Sequence, residues 1–114
     1  MKTYTGEQGY VYQYYFVGKR PGVDLEAGPS MEYIFDVTAD RKTMFAVSIF
    51  LPNSASVAWA DAHHRPLTDA EQYGAVKMRL FKAFDEIEDM LVAGRHLTVN
   101  LNLLEDMLGR LGVA

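Results

Sequence analysis

The chain has 114 residues, 49% of them hydrophobic and 23% charged, with no cysteine and a formal net charge of −4. That size suits one domain around one core, and the composition argues against disorder. The missing cysteines exclude disulfides and thiolate metal sites, and the acidic balance disfavours a nucleic-acid partner.

The opening residues, Met1 to Gly9, are polar and lack the apolar stretch of a signal peptide. The longest apolar-rich run, Met44 to Leu51, is far shorter than the about 20 residues needed to cross a bilayer. A single cytoplasmic domain spanning residues 1–114, with no membrane role, is therefore the expectation.

The first predicted element is a strand from Tyr10 to Val17. Alternation puts Tyr10, Tyr12, Tyr14 and Phe16 on one face and Val11, Gln13, Tyr15 and Val17 on the other. Such a ribbon is either packed under other elements or used as a binding surface. Gly18-Lys19-Arg20-Pro21-Gly22 predicts a break, and Val23 to Ser30 an exposed loop. A second strand follows from Met31 to Thr38, then a polar turn at Ala39–Lys42 and a third strand from Met44 to Leu51.

Residues 55–61 carry two patterns. Val57 and Trp59 alternate as in a strand, whereas Ala55, Ala58, Ala60 and Ala62 suit a helix capped by Asn53 or Ser54. A fourth strand is the preferred reading. Thr68-Asp69-Ala70-Glu71 fits a capping box and opens a helix from Asp69 to about Ala93. Its apolar stripe is Tyr73, Val76, Leu80, Phe84, Ile87 and Leu91. In the tail, Leu97, Val99, Leu101 and Leu103 alternate, while Leu101, Leu104, Leu108 and Leu111 form a helical stripe. A short turn and then a helix through Leu108, with Asn100 as cap, is predicted.

The resulting fold class is α+β: a three- to four-stranded antiparallel meander packed by one long helix, with a short terminal helix.

Three groups of residues carry chemistry. The Tyr10, Tyr12, Tyr14 and Phe16 face packs beneath the helix, offers contact area for a protein partner, or stacks ligand rings or bases, the last disfavoured by the acidic charge. Asp85, Glu86, Glu88 and Asp89 form an acidic knot near the end of the long helix, where the dipole disfavours negative charge. A solvated face, a dock for a basic partner or a divalent-metal site with oxygen ligands would account for it, and the solvated face is preferred. His63, His64 and Arg65, with Asp61, form the one cluster of catalytic type. Adjacent strand histidines point apart and His96 is remote, so neither metal nor cofactor is predicted.

A four-stranded meander would bring Arg41 and Lys42 to the same end as His63, His64 and Arg65, close to the amides opening the long helix. That end would attract an anion. The leading functional expectation is a regulatory or protein-interaction module without catalysis, such as an inhibitor, an antitoxin-like or anti-defence protein or a complex subunit. It would work through the aromatic face, the acidic helix end or both. Homodimerisation through that face or through Leu101, Leu104 and Leu108 is the simplest assembly. The alternative is a small enzyme or anion-binding domain using the histidine segment.

Overall fold

A computed structural model describes residues 1–113 as an α+β fold. The strands are β1 (Lys2–Thr5), β2 (Val11–Asp24), β3 (Gly28–Thr38), β4 (Phe45–Pro52) and β5 (His96–Thr98). The helices are α1 (Asn53–His63), α2 (Asp69–Glu86), α3 (Met90–Ala93) and α4 (Leu101–Arg110). The strands lie in the order β1-β2-β3-β4-β5. The first four pair antiparallel, and β5 runs parallel to β4. The three central strands match the predicted meander. The sheet is nevertheless five-stranded and mixed, because α1, α2 and α3 carry the chain back before β5 joins the edge.

Residues 55–61 are helical, not a fourth strand. Trp59 is fully buried and Val57 is exposed. A strand would put both on one face; residues two apart on a helix lie on nearly opposite sides. Ala55, one turn before Trp59, shares its buried side.

The predicted break at Gly18–Gly22 is strand as well. Beyond Tyr14, β2 has no partner on its outer side, so Pro21 is tolerated at an edge that needs no amide there. A bulge between Phe16 and Gly18 shifts the alternation. Thereafter Lys19 shares the helix side with Tyr33, while Arg20 and Asp24 face the opposite way with Glu32.

The helices cover one face of the sheet. Tyr12, Tyr14, Tyr33, Phe35, Val47 and Ile49 pack there against Trp59, Leu80, Phe84, Leu104 and Leu108. The Thr68 capping box forms as expected, with Thr68 Oγ1 accepting from the Glu71 amide and Glu71 accepting from the Thr68 amide. The long helix ends sooner than its stripe implies. Ile87 turns to an extended conformation, and Asp89 accepts from the Val92 amide to start α3. The acidic run at Asp85–Asp89 coincides with that break: Asp85 and Glu86 remain in the last turn of α2, at the negative end of its dipole, while Asp89 becomes the cap of α3. Asn100 caps α4 through the Leu103 amide, as predicted. Leu104 and Leu108 are fully buried, so they offer no dimer face.

Candidate functional site

The aromatic ribbon divides along its length. Tyr12 and Tyr14 are buried beneath α2, with Tyr12 stacked on Phe84 at 4.2 Å and 7°. Phe16 leans on Phe35 and Tyr73 and is 37% exposed. Tyr10, just before β2, is 45% exposed. The four rings therefore do not form a continuous open surface. The face pointing away from the helices carries Val11, Tyr15 and Val17, each partly exposed, with Tyr15 donating to Asp36.

The end of the ribbon meets the acidic break. A cleft of about 470 Å³ is lined by Tyr10, Tyr12, Ala39, Phe45, Glu88, Asp89, Met90 and Leu91. Strand pairing sets the sheet side of this cleft, because Tyr12 lies at the β2 start, Ala39 just beyond β3 and Phe45 at the β4 start. The helix break sets the other side, turning Glu88 and Asp89 away from the α2 axis. Tyr12 is 2% exposed as a residue and lines the cleft, and among the described residues its hydroxyl makes no side-chain hydrogen bond. Burial raises the Tyr12 pKa first, followed by the nearby Tyr10 hydroxyl and Asp89 carboxylate.

The other half of the acidic knot has internal partners. Asp85 accepts from the Tyr4 hydroxyl at 2.9 Å and from the Glu7 amide. Burial and that bond push the Tyr4 pKa up to about 12. Glu86 pairs with Lys82 one helical turn away. Gly6 permits this arrangement: a Cβ there would sit 2.6 Å from the Phe84 carbonyl oxygen.

Arg41 and Lys42 are not brought to the histidine segment. They sit in the β3–β4 turn, next to Ala39 and the cleft at the C-terminal end of α2. Arg65 instead grips Glu71 in the first turn of α2 through two bonds of 2.8 and 2.7 Å. An 18-residue helix, about 27 Å long, separates the two groups. The expected juxtaposition assumed a strand at 55–61, and the helix there removes its basis. His63 contacts Glu105 at 2.9 Å and stacks on Trp59 at 4.1 Å. Arg65 covers the same indole. Exposed His64 takes a left-handed conformation that ends α1. These side chains join α1 to α2 and α4.

A second polar cluster escaped the sequence reading. On the helix-free face, the end of β2 curls toward β5, where buried Asp24 meets His96 at 2.9 Å and Thr98 at 3.1 Å. Buried Glu32 accepts from Ser48 at 2.7 Å and Arg20 at 3.0 Å. Phe50 stacks on His96 at 4.4 Å. Gly22 makes the curl possible, since a Cβ there would lie 3.1 Å from that of Glu32. Burial pushes the Asp24 carboxyl up, but bonds from His96, Thr98 and the Ala27 amide outweigh it and hold the pKa low. The Ser48 bond, aided by Arg20, overcomes burial to hold Glu32 low as well. Ser48 is committed to Glu32, and both carboxylates are satisfied. The cluster therefore stitches the curl closed. The signal for it was faint: an aspartate and a histidine on segments read as loop and turn.

No helix among the described residues is long and apolar enough to cross a membrane. No known family, curated protein or solved structure matches the chain.

Proposed function

We propose that this chain is a protein-interaction module of regulatory type, an inhibitor, antitoxin-like or anti-defence protein or a complex subunit, that meets its partner at the cleft between β2 and α3. One observation carries the reading. The aromatic ribbon and the acidic knot, each a candidate interaction feature by itself, converge there through Tyr10, Tyr12, Glu88 and Asp89. Aromatic rings contribute large contact areas at low entropic cost, and carboxylates without an ion-pair partner among the described residues select by charge. The partner is another protein or a second copy of the chain.

Site-specific photo-cross-linking tests this. A benzophenone side chain replacing Tyr10 or Leu91 is expected to capture one discrete partner in the native host, whose mass separates self from non-self. The same group at Ala46, on the helix-free sheet face, is the comparison position. Capture at Ala46 with none at Tyr10 or Leu91 would overturn the proposal.

A further inference from the structure

We infer that the cleft receives the ammonium end of a lysine side chain from its partner. This deepens the proposed interaction role and rests on the same end of the molecule being the contact surface.

Three features of the cleft point to a cation. First, its walls combine the Tyr10 and Phe45 rings with the carboxylates of Glu88 and Asp89. Ring faces carry negative quadrupole density, so they attract an alkylammonium group while sheltering its methylene stem. Second, no described residue already fills this role. Among the described residues, Glu88 and Asp89 make no ion pair, and no lysine or arginine head group lies over Tyr10, Tyr12 or Phe45. Arg41 and Lys42 occupy the adjoining turn and are exposed, yet neither pairs with these carboxylates. Third, Tyr12, a residue only 2% exposed, lines the cleft with a hydroxyl that makes no side-chain hydrogen bond among the described residues and lies close enough to Asp89 for that carboxylate to raise its pKa.

An ammonium group has three N–H donors and no acceptor. The Tyr12 oxygen, the Glu88 carboxylate and the Asp89 oxygen not already capping α3 through Val92 are acceptors, so the cleft matches it in charge and hydrogen-bond sense. The fold already contains one arrangement of this kind. The Lys77 ammonium lies 5.8 Å from the Tyr14 ring, 5.9 Å from Tyr73 and 5.6 Å from Phe81. Lysine fits the slot better than arginine because its charge is compact and its three donors can turn to three acceptors. A guanidinium would need a planar, two-pronged acceptor.

The test is a titration of the isotope-labelled full chain, followed by NMR, with the blocked peptide Gly-Gly-Lys-Gly-Gly. The same peptide with norleucine keeps the stem and removes the charge. The lysine peptide is expected to shift the signals of Tyr10, Tyr12, Phe45 and Glu88–Leu91 in a saturable way, with a Kd on the order of millimolar for one side chain. The norleucine peptide should bind at least tenfold more weakly. Glu88→Gln with Asp89→Asn should weaken the lysine peptide about tenfold, and asparagine can still cap α3. Tyr12→Phe, which keeps the ring stack, should weaken it severalfold. Equal binding of the two peptides would overturn the inference, as would shifts outside the cleft or none at the highest soluble concentration. Cross-linking confined to Tyr10 and Leu91 alongside such a negative titration would remove the lysine but leave the interaction role standing.

Discussion

Two aromatic clusters sit side by side on the helix-facing side of β2, and their difference is instructive. Tyr14, two residues beyond Tyr12 on the same face, joins Tyr73 and Phe81 around the chain's own Lys77. Tyr12 joins Tyr10 and Phe45 beside two carboxylates, and among the described residues no lysine or arginine head group lies over these rings. The first cluster is closed within the fold: burial lowers the Lys77 pKa, with Lys2 adding to the effect, and the rings compensate part of the desolvation. The second has the same ring chemistry with the charge left out, and carboxylates stand where a counter-charge would go. One strand thus supplies a structural cluster and a receptive one.

Phe84 stands behind both clusters, contacting Tyr4, Tyr12 and Tyr14. Replacing it with alanine should erase the comparison by destabilising the fold by about 3–5 kcal/mol, measured by chemical denaturation. Lys77→Met should separate the clusters more gently. It keeps the stem and removes the charge, and should change stability by about 1 kcal/mol or less, because lost ring attraction is offset by relieved desolvation. Glu88→Gln with Asp89→Asn should do the reverse of a core change, altering stability by no more than about 0.5 kcal/mol while reducing capture of the partner at Tyr10.

Acid should act away from both clusters. Glu71 is held down to about 2 by Arg65 and then by the Thr68 amide, against its usual 4.5. A carboxylate with a lowered folded pKa contributes stability that is complete above the unfolded value and is lost as pH falls through the folded one. Denaturation midpoints should therefore decline between about pH 4.5 and 2. Glu71→Gln should flatten part of that decline while leaving neutral-pH cleft shifts in place. The smallest effect is expected from His63→Gln with His64→Asn, which should leave lysine-peptide binding unchanged, since these side chains lie toward the opposite end of α2.

Much of the framework could be read from local pattern. The capping box at Thr68–Glu71 depends on neighbours, and so does the Asn100 cap, so both were visible. The central strands alternate cleanly because one face is buried and the other partly wet. Features that depend on distant partners were not legible. Nothing local distinguishes Gly18–Gly22 as loop from an outer strand bent over Glu32. The three residues of β5 are too few to show a period, and β1 is strand because β2 offers it an edge. Val57 and Trp59 imitated a strand across a helix whose buried side is set by its packing. For the site, Tyr10, Tyr12, Glu88 and Asp89 each stand out in the sequence. Their adjacency was hidden because it depends on α2 stopping at Glu86, inside a stripe that reads as continuous.

Competition at the cleft is the most direct test. With a benzophenone at Tyr10, cross-linking to the partner should fall steeply as the lysine peptide is added and should be unaffected by the norleucine peptide. A partner captured at the same yield with either peptide, up to saturation of the lysine-peptide shifts, would contradict the claim that this cleft is where the protein makes its contact.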